Sequence, residues 1–253
     1  MDPILNSPEA RQGILKTRAA SGAPLVLVRL AEEFGVSADT IRRDLLALEA
    51  EGAVQRVRGG ALPVSRPAPP LRERLQASQE VADRIADAAL DLVRDGMVVM
   101  FDGGTTLARL ARALPPLPRA LAVTPSPVVA TELLARGTET ILIGGRLSAF
   151  GGISVGHEAV AAISDIAADL CLLGACGLDA AFGLGGDDAD EAAVSRAMRA
   201  ASNRAVVLTG AAKLGRRARH RVCRCDELDL LVTDAPPEIT APIAETGLEI
   251  RHV

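Results

Sequence analysis

Two arginines stand side by side in Val36-Ser37-Ala38-Asp39-Thr40-Ile41-Arg42-Arg43-Asp44-Leu45, and two more, Arg56 and Arg58, flank Val57 just before Gly59-Gly60. A guanidinium donates two hydrogen bonds at once to a phosphate or to the major-groove edge of guanine, so arginines gathered on one face suit duplex DNA. Ser37 and Thr40 add hydroxyls to the same stretch. A second chemistry is written in Phe101-Asp102-Gly103-Gly104-Thr105-Thr106. Glycines let the backbone approach an anion, free N–H groups at a helix start attract it, and threonine hydroxyls add donors. Similar segments recur at Thr124-Pro125-Ser126, Gly144-Gly145-Arg146, Gly174-Ala175-Cys176-Gly177 and Thr209-Gly210-Ala211-Ala212-Lys213. Lys213 and Arg146 offer positive charge to a phosphate, while Asp102 and Glu191 offer acceptors to sugar hydroxyls.

These groups need elements to position them. Leu27, Leu30, Ala31 and Phe34 repeat at helical spacing, Gly35 can take the left-handed conformation that ends a helix, and Ser37 can cap the next one. In that second helix, at about 100° per residue, Leu45 and Leu48 fall on the side of Ile41, whereas Arg43 points roughly the opposite way. Val54 to Leu62 reads as a short hairpin with a Gly-Gly tip, a wing that would carry Arg56 and Arg58 to the DNA backbone or minor groove. Four prolines in Leu62-Pro63-Val64-Ser65-Arg66-Pro67-Ala68-Pro69-Pro70 forbid a continuous helix. The expected organisation is therefore a DNA-binding domain over 1–62, a linker over 63–70, and a second domain over 71–253.

Beyond the linker, Leu75, Val81, Ile85, Ala88, Ala89 and Leu92 predict a helix of several turns running to Asp95-Gly96. From there, apolar runs at Met97–Phe101, Leu121–Thr124, Thr140–Ile143, Leu170–Leu173, Ala205–Leu208, Leu228–Val232 and Glu249–His252 alternate with helical patterns at 105–114, 127–136, 157–164, 190–202 and 238–246. That alternation predicts an α/β domain with a mostly parallel sheet covered on both faces. In such a sheet the ligand crevice lies outside the carboxyl ends of the strands, where the glycine-rich segments fall.

Composition narrows the functional classes. The 253 residues include four Phe and neither Trp nor Tyr, which argues against aromatic platforms for single strands or RNA. Residues 1–66 carry a net charge of +1 and the remainder −5, so nucleic-acid affinity must come from individually placed arginines. No segment has the apolar length of a membrane span and the start lacks a basic-then-apolar leader, so a cytoplasmic protein is expected. Cys171, Cys176, Cys223 and Cys225 do not form a disulfide framework, and Cys223-x-Cys225 beside His220 lacks structural-zinc spacing. Neither a metal nor a cofactor is expected.

The chain resembles the DeoR family of bacterial regulators. Residues 9–62 carry the resemblance through Val36-Ser37-x-x-Thr40-Ile41-Arg42-Arg43-Asp44-Leu45, Leu48-Glu49, Gly52 and Arg56-Val57-x-Gly59-Gly60-Ala61. Further on, it rests on Asp102 to Thr106, Val123-Thr124-x-Ser126, Gly144-Gly145, Gly156 with Glu158, Gly174 with Gly177, Gly183, Glu191 with Met198, and Lys213 with Gly215. The resemblance implies a winged helix-turn-helix with a recognition helix over about 38–51, and an effector domain similar in fold to ribose-5-phosphate isomerase. It also implies operator binding as a homo-oligomer, dimer or tetramer, repression of carbohydrate or related genes, and a phosphorylated sugar or related metabolite as effector. The chain departs from the family pattern at Pro125, where Asn is frequent, and at Thr209-Gly210-Ala211-Ala212-Lys213, which replaces Asp-Ser-Ser-Lys and removes a carboxylate and two hydroxyls. Two alternatives stand beside this reading. One is a sugar-phosphate isomerase using Asp102 or Glu191 as base and Lys213 to stabilise an enediolate; the other is a regulator whose effector site is vestigial and whose second domain only oligomerises.

Overall fold

The apolar periodicities close into two compact units, Met1–Arg66 and Pro67–Val253. The computed structural model describes residues 7–20, 25–51, 53–57, 59–63, 69–76 and 80–253. Arg58 of the expected wing and residues 64–68 of the expected linker lie outside them.

The first unit runs α1 (Pro8–Ala20), β1 (Leu25–Val26), α2 (Leu27–Phe34), α3 (Ala38–Ala50), β2 (Val54–Val57) and β3 (Gly60–Pro63). Leu30 and Phe34 of α2 and Ile41, Leu45 and Leu48 of α3 bury their side chains against Leu15 of α1 and Val54 and Ala61 of the hairpin. Gly35 ends α2 at φ 64°, and the Val36 N–H reaches back to the Ala31 carbonyl at 3.1 Å. Ser37 then starts α3 by accepting the Thr40 N–H at 3.1 Å. The wing pairs Val57 with Gly60 and Val54 with Pro63. A third strand, β1, pairs Leu25 with Ala61; it was not foreseen, because two residues carry no legible alternation. Gly60 permits this pairing, since a Cβ there would lie 2.0 Å from the Leu25 carbonyl oxygen.

The second unit opens with α4 (Leu71–Gln76) and α5 (Glu80–Asp87), followed by a 3-10 turn at Leu90–Leu92. This corrects the single helix expected from Leu75 to Asp95. The apolar spacing persists because Ala89, Leu92 and Val93 still bury into the cluster that receives Ile85, although the backbone has left the α conformation. Then come β4 (Val98–Phe101), α6 (Thr105–Ala113), β5 (Leu121–Thr124), α7 (Pro127–Ala135), β6 (Glu139–Leu142), β7 (Arg146–Leu147), β8 (Ser154–Val155) and α8 (His157–Ser164). The chain continues as β9 (Ala168–Leu173), β10 (Gly177–Asp179), β11 (Gly183–Gly186), α9 (Ala189–Ala200), β12 (Ser202–Leu208), β13 (His220–Cys223), β14 (Leu230–Thr233), α10 (Pro237–Ala244) and β15 (Glu249–His252).

Seven of these strands form one parallel sheet in the order β15-β14-β12-β9-β4-β5-β6. Alternate residues feed opposite faces, as strand geometry requires. Leu170 and Leu172 of β9 join Phe101, Leu107, Leu110 and Leu133 on the face covered by α5, α6 and α7. Cys171 and Leu173 join Ile163, Val194, Met198 and Ile243 on the face covered by α8, α9 and α10. From β4 the chain adds β5 and β6 on one side, then returns through β9 to build outward on the other. Strand order therefore reverses between β4 and β9, and their carboxyl ends open a crevice there.

Candidate nucleic-acid interface and sensor site

On α3 the buried and exposed residues separate cleanly. Ile41, Leu45 and Leu48 are at most 1% exposed, whereas Arg42 and Arg43 face solvent. Arg42 pairs with Asp39 one turn earlier, and Arg56 pairs with Glu49 at 2.9 Å. Arg43 makes no hydrogen bond or ion pair among the described residues, so its donors are available to a partner without breaking an internal contact. The hydroxyls of Ser37 and Thr40 lie 2.9 Å apart at the start of the helix. Asp44, inside the same motif, faces inward. It is 2% exposed and accepts Arg11 Nε at 2.8 Å and Gln12 Nε2 at 3.1 Å, which ties α1 to the buried side of α3. The sequence offered no signal for this pair, because its partners stand 33 positions apart.

In the second unit, Asp102 follows β4 and Gly174 follows β9, at the reversal of strand order. The Asp102 carboxylate is 8% exposed and accepts the N–H groups of Gly103 at 2.7 Å and Gly174 at 3.1 Å. Burial pushes its pKa up to about 6 despite these two donors, and the nearby Glu191 carboxylate raises it further while Arg74 opposes. Glu191 comes from the first turn of α9, capped by Asp188. It accepts the Ser148 hydroxyl and the Gly151 N–H, the latter at 2.6 Å, and burial raises its pKa as well. Both carboxylates line a cavity of about 60 Å³, on a measure by which one water needs roughly 10–15 Å³. That space admits a phosphate-sized group. Gly103, Gly174, Gly151, Phe150 and Cys176 complete much of the wall, and Arg74 supplies its cation.

Of the residues singled out in the sequence, the structure brings Asp102, Gly103, Gly174 and Glu191 together on this wall. Lys213 is half-buried nearby; burial and the charges of Arg74 and Arg216 lower its pKa, while Asp102 and Cys176 raise it. Gly104 caps α6 at φ 106°, with Thr105 and Thr106 in its first turn, where N–H groups have no partner within the helix. Thr124 and Ser126 are fully buried and committed locally: Thr124 accepts the Ser126 N–H, and Ser126 caps α7 by accepting from Val129. Gly144, Gly145 and Arg146 are exposed, with Arg146 paired to Asp190 at 2.5 Å. Gly177 lies in β10, where a Cβ would come within 2.3 Å of the Arg216 carbonyl oxygen. Arg74, Ser148 and Gly151 were missed. Leu71-Arg72-Glu73-Arg74 reads as a solvated charge run, and nothing local announces that one of its arginines turns inward. Among the described residues, no cluster of His, Cys, Asp and Glu is arranged to hold a metal ion.

A winged helix-turn-helix joined in one chain to an α/β unit with an anion-sized cavity defines a ligand-responsive DNA-binding regulator. Residues 11–66 match the DeoR-like helix-turn-helix domain and residues 78–235 the DeoR C terminal sensor domain; the chain belongs to the DeoR family. It is 36% identical over 210 residues to the HTH-type transcriptional regulator GlpR of Haloferax volcanii, covering 81% of each chain. With the glycerol-3-phosphate regulon repressor of Escherichia coli K12 it shares 32% identity over 213 residues, 83% of this chain and 84% of that one. Among solved structures, ribose 5-phosphate isomerase a from Methanocaldococcus jannaschii aligns at a TM-score of 0.37 and 16% identity, over 52% of each chain.

Proposed function

We propose that this chain represses genes of carbohydrate or related metabolism by reading an operator with α3 and the wing, and that a phosphorylated small molecule in the cavity beside Asp102 controls it. The observation that carries the reading is the division of α3, with Ile41, Leu45 and Leu48 buried and Arg42 and Arg43 turned outward. Major-groove helices present their early residues to base edges, which places Ser37, Thr40, Arg42 and Arg43 as the reading set and Arg56 and Arg58 as wing contacts. The effector set is Asp102, Gly103, Gly104, Thr105, Thr106, Gly174, Glu191 and Lys213, with Thr124, Ser126, Gly144, Gly145, Arg146 and Gly177 on the neighbouring strand ends and loops. The name of the glycerol-3-phosphate regulon repressor supports a phosphorylated effector. Weak net charge on the reader favours a homo-oligomer that pairs two readers on one operator. A regulator that reads an operator acts in the cytoplasm; no described helix is long and apolar enough to cross a membrane.

The test is genome-wide mapping of bound DNA, followed by binding to a mapped operator with and without a panel of sugar phosphates. Arg43→Ala should cost about 1–3 kcal/mol at the operator if Arg43 reads a base. Undiminished binding by Arg42→Ala/Arg43→Ala sinks the assignment. The isomerase reading draws on Asp102, whose pKa of about 6 suits a general base. Nothing places that carboxylate against a substrate carbon, so we assign the chain no enzymatic activity; turnover of a sugar phosphate by the pure protein would overturn this.

A further inference from the structure

Among the described residues, Arg74 is the one cation on the cavity wall, and it stands on α4, the first helix after the proline-rich segment that follows the reader. Its guanidinium lies against the turn that starts α6, such that a Cβ on Gly104 would sit 3.6 Å from Nη1. Arg74 is itself tied to the Phe150 carbonyl, among other contacts, and two further arginines near the site pair away from the cavity. Arg216 is held in a buried pair with Asp187 at 2.7 Å, and Arg146 pairs with Asp190 outside the cavity. A phosphate entering a space already lined by Asp102 and Glu191 requires a neighbouring cation, and Arg74 together with the first turn of α6 meets that need.

The same helix is seated on the loop that closes the cavity. The Phe150 carbonyl accepts the Leu71 N–H at 2.8 Å and Arg74 Nη2 at 3.4 Å. Leu71 packs on Gly152, where a Cβ would fall 2.2 Å from Leu71 Cδ2. That loop is clamped in turn by Glu191, through the Ser148 hydroxyl and the Gly151 N–H. One short path of contacts thus runs from the cavity wall to the beginning of the second unit.

We propose that Arg74 binds the phosphate of the effector and that α4 carries the signal: occupancy of the cavity fixes the seat of α4 on residues 148–152, and so constrains the chain leading to the reader. This inference rests on the effector reading given above. A ligand held by Arg74 binds more tightly when α4 is seated on this loop than when it is not, which is the differential affinity that a switch requires.

The test uses the full chain. Glycerol 3-phosphate, ribose 5-phosphate and fructose 6-phosphate are titrated by calorimetry beside their unphosphorylated counterparts, into the wild type and Arg74→Gln. Amide exchange at residues 71–76 and operator affinity are followed in parallel. The wild type should bind at least one phosphate ester, slow exchange in 71–76, and change its operator affinity. Arg74→Gln should lose about 10-fold or more in affinity for that ester, with any affinity for the unphosphorylated sugar unchanged, and should show no exchange response at saturation. Arg74→Lys should recover part of the affinity, whereas a purely structural loss would lower binding of both ligand forms and the melting temperature. If Arg74→Gln binds and responds as the wild type does, the Arg74 assignment falls and the effector reading stands. If the wild type binds none of the three esters, both fall.

Discussion

The buried pair between Arg11 and Asp44 sets the stability of the reader, and Arg11→Met measures it. The two side chains are 5% and 3% exposed, with Nε 2.8 Å from the carboxylate, so removing the guanidinium leaves Asp44 desolvated with Gln12 as its remaining side-chain donor among the described residues. Breaking such a pair from one side costs about 3–5 kcal/mol. A unit of roughly 60 residues has about 3–9 kcal/mol in total, so Arg11→Met should leave the reader marginal or largely unfolded. The double variant Arg11→Met/Asp44→Leu removes both charges and should return to within about 1 kcal/mol of the wild type, or exceed it. With neither Trp nor Tyr in the chain, urea unfolding is followed by far-ultraviolet circular dichroism, and amide exchange in α1 and α3 isolates the reader. A loss below about 1 kcal/mol in the single variant would mean that the pair behaves like a surface contact. A double variant no better than the single would refute the desolvation argument itself.

Three further outcomes follow from the geometry. Arg42→Ala should weaken operator binding less than Arg43→Ala, because Arg42 must first leave Asp39 whereas Arg43 has no partner to give up among the described residues; equal losses in a fluorescence-anisotropy titration with labelled operator would contradict this. The folded state holds the Asp102 proton up to about pH 6 against an ordinary 3.8, so its contribution to stability is full below about pH 4 and is lost as pH rises through 6. The loss is about 3 kcal/mol at most, and the wild-type minus Asp102→Asn difference in urea midpoints reads it; a flat difference across pH 4–7 would remove burial as the cause. Gly60→Ala should destabilise the reader by about 1–3 kcal/mol, since the obstruction 2.0 Å away is the Leu25 backbone and cannot swing aside. A wild-type exchange pattern in β1 and β3 of that variant would argue against the three-stranded wing.

The central strands of the parallel sheet were legible because each is an apolar run punctuated by glycine or a helix cap, and the edge strands β6 and β15 because they recur in the same alternation with helices. The antiparallel pieces β7, β8, β10, β11 and β13 were not, since they are short and glycine or polar residues interrupt any apolar run in them. Gly183 and Gly185 of β11 are read correctly only once their neighbours are known: a Cβ at Gly183 would meet the Cys223 carbonyl oxygen at 2.1 Å. At the site, Asp102 and Gly174 announced themselves by ending apolar runs. Arg74 did not, because what turns it inward is Leu71, buried on a glycine 81 positions later in the chain. The helix-turn-helix was the most legible part, yet its motif mixes two tasks: Arg42 and Arg43 face out, while Asp44 beside them is a core residue.

The reversal of strand order between β4 and β9 has a consequence for the order of synthesis. Asp102 and Glu191, which both line the cavity, leave the ribosome far apart in time, whereas every element of the reader has emerged by Pro63. A chain interrupted between them carries the whole helix-turn-helix unit and only part of the cavity wall. Premature stops in that interval therefore remove Glu191 and the strands beyond it while leaving every element of the helix-turn-helix unit in place.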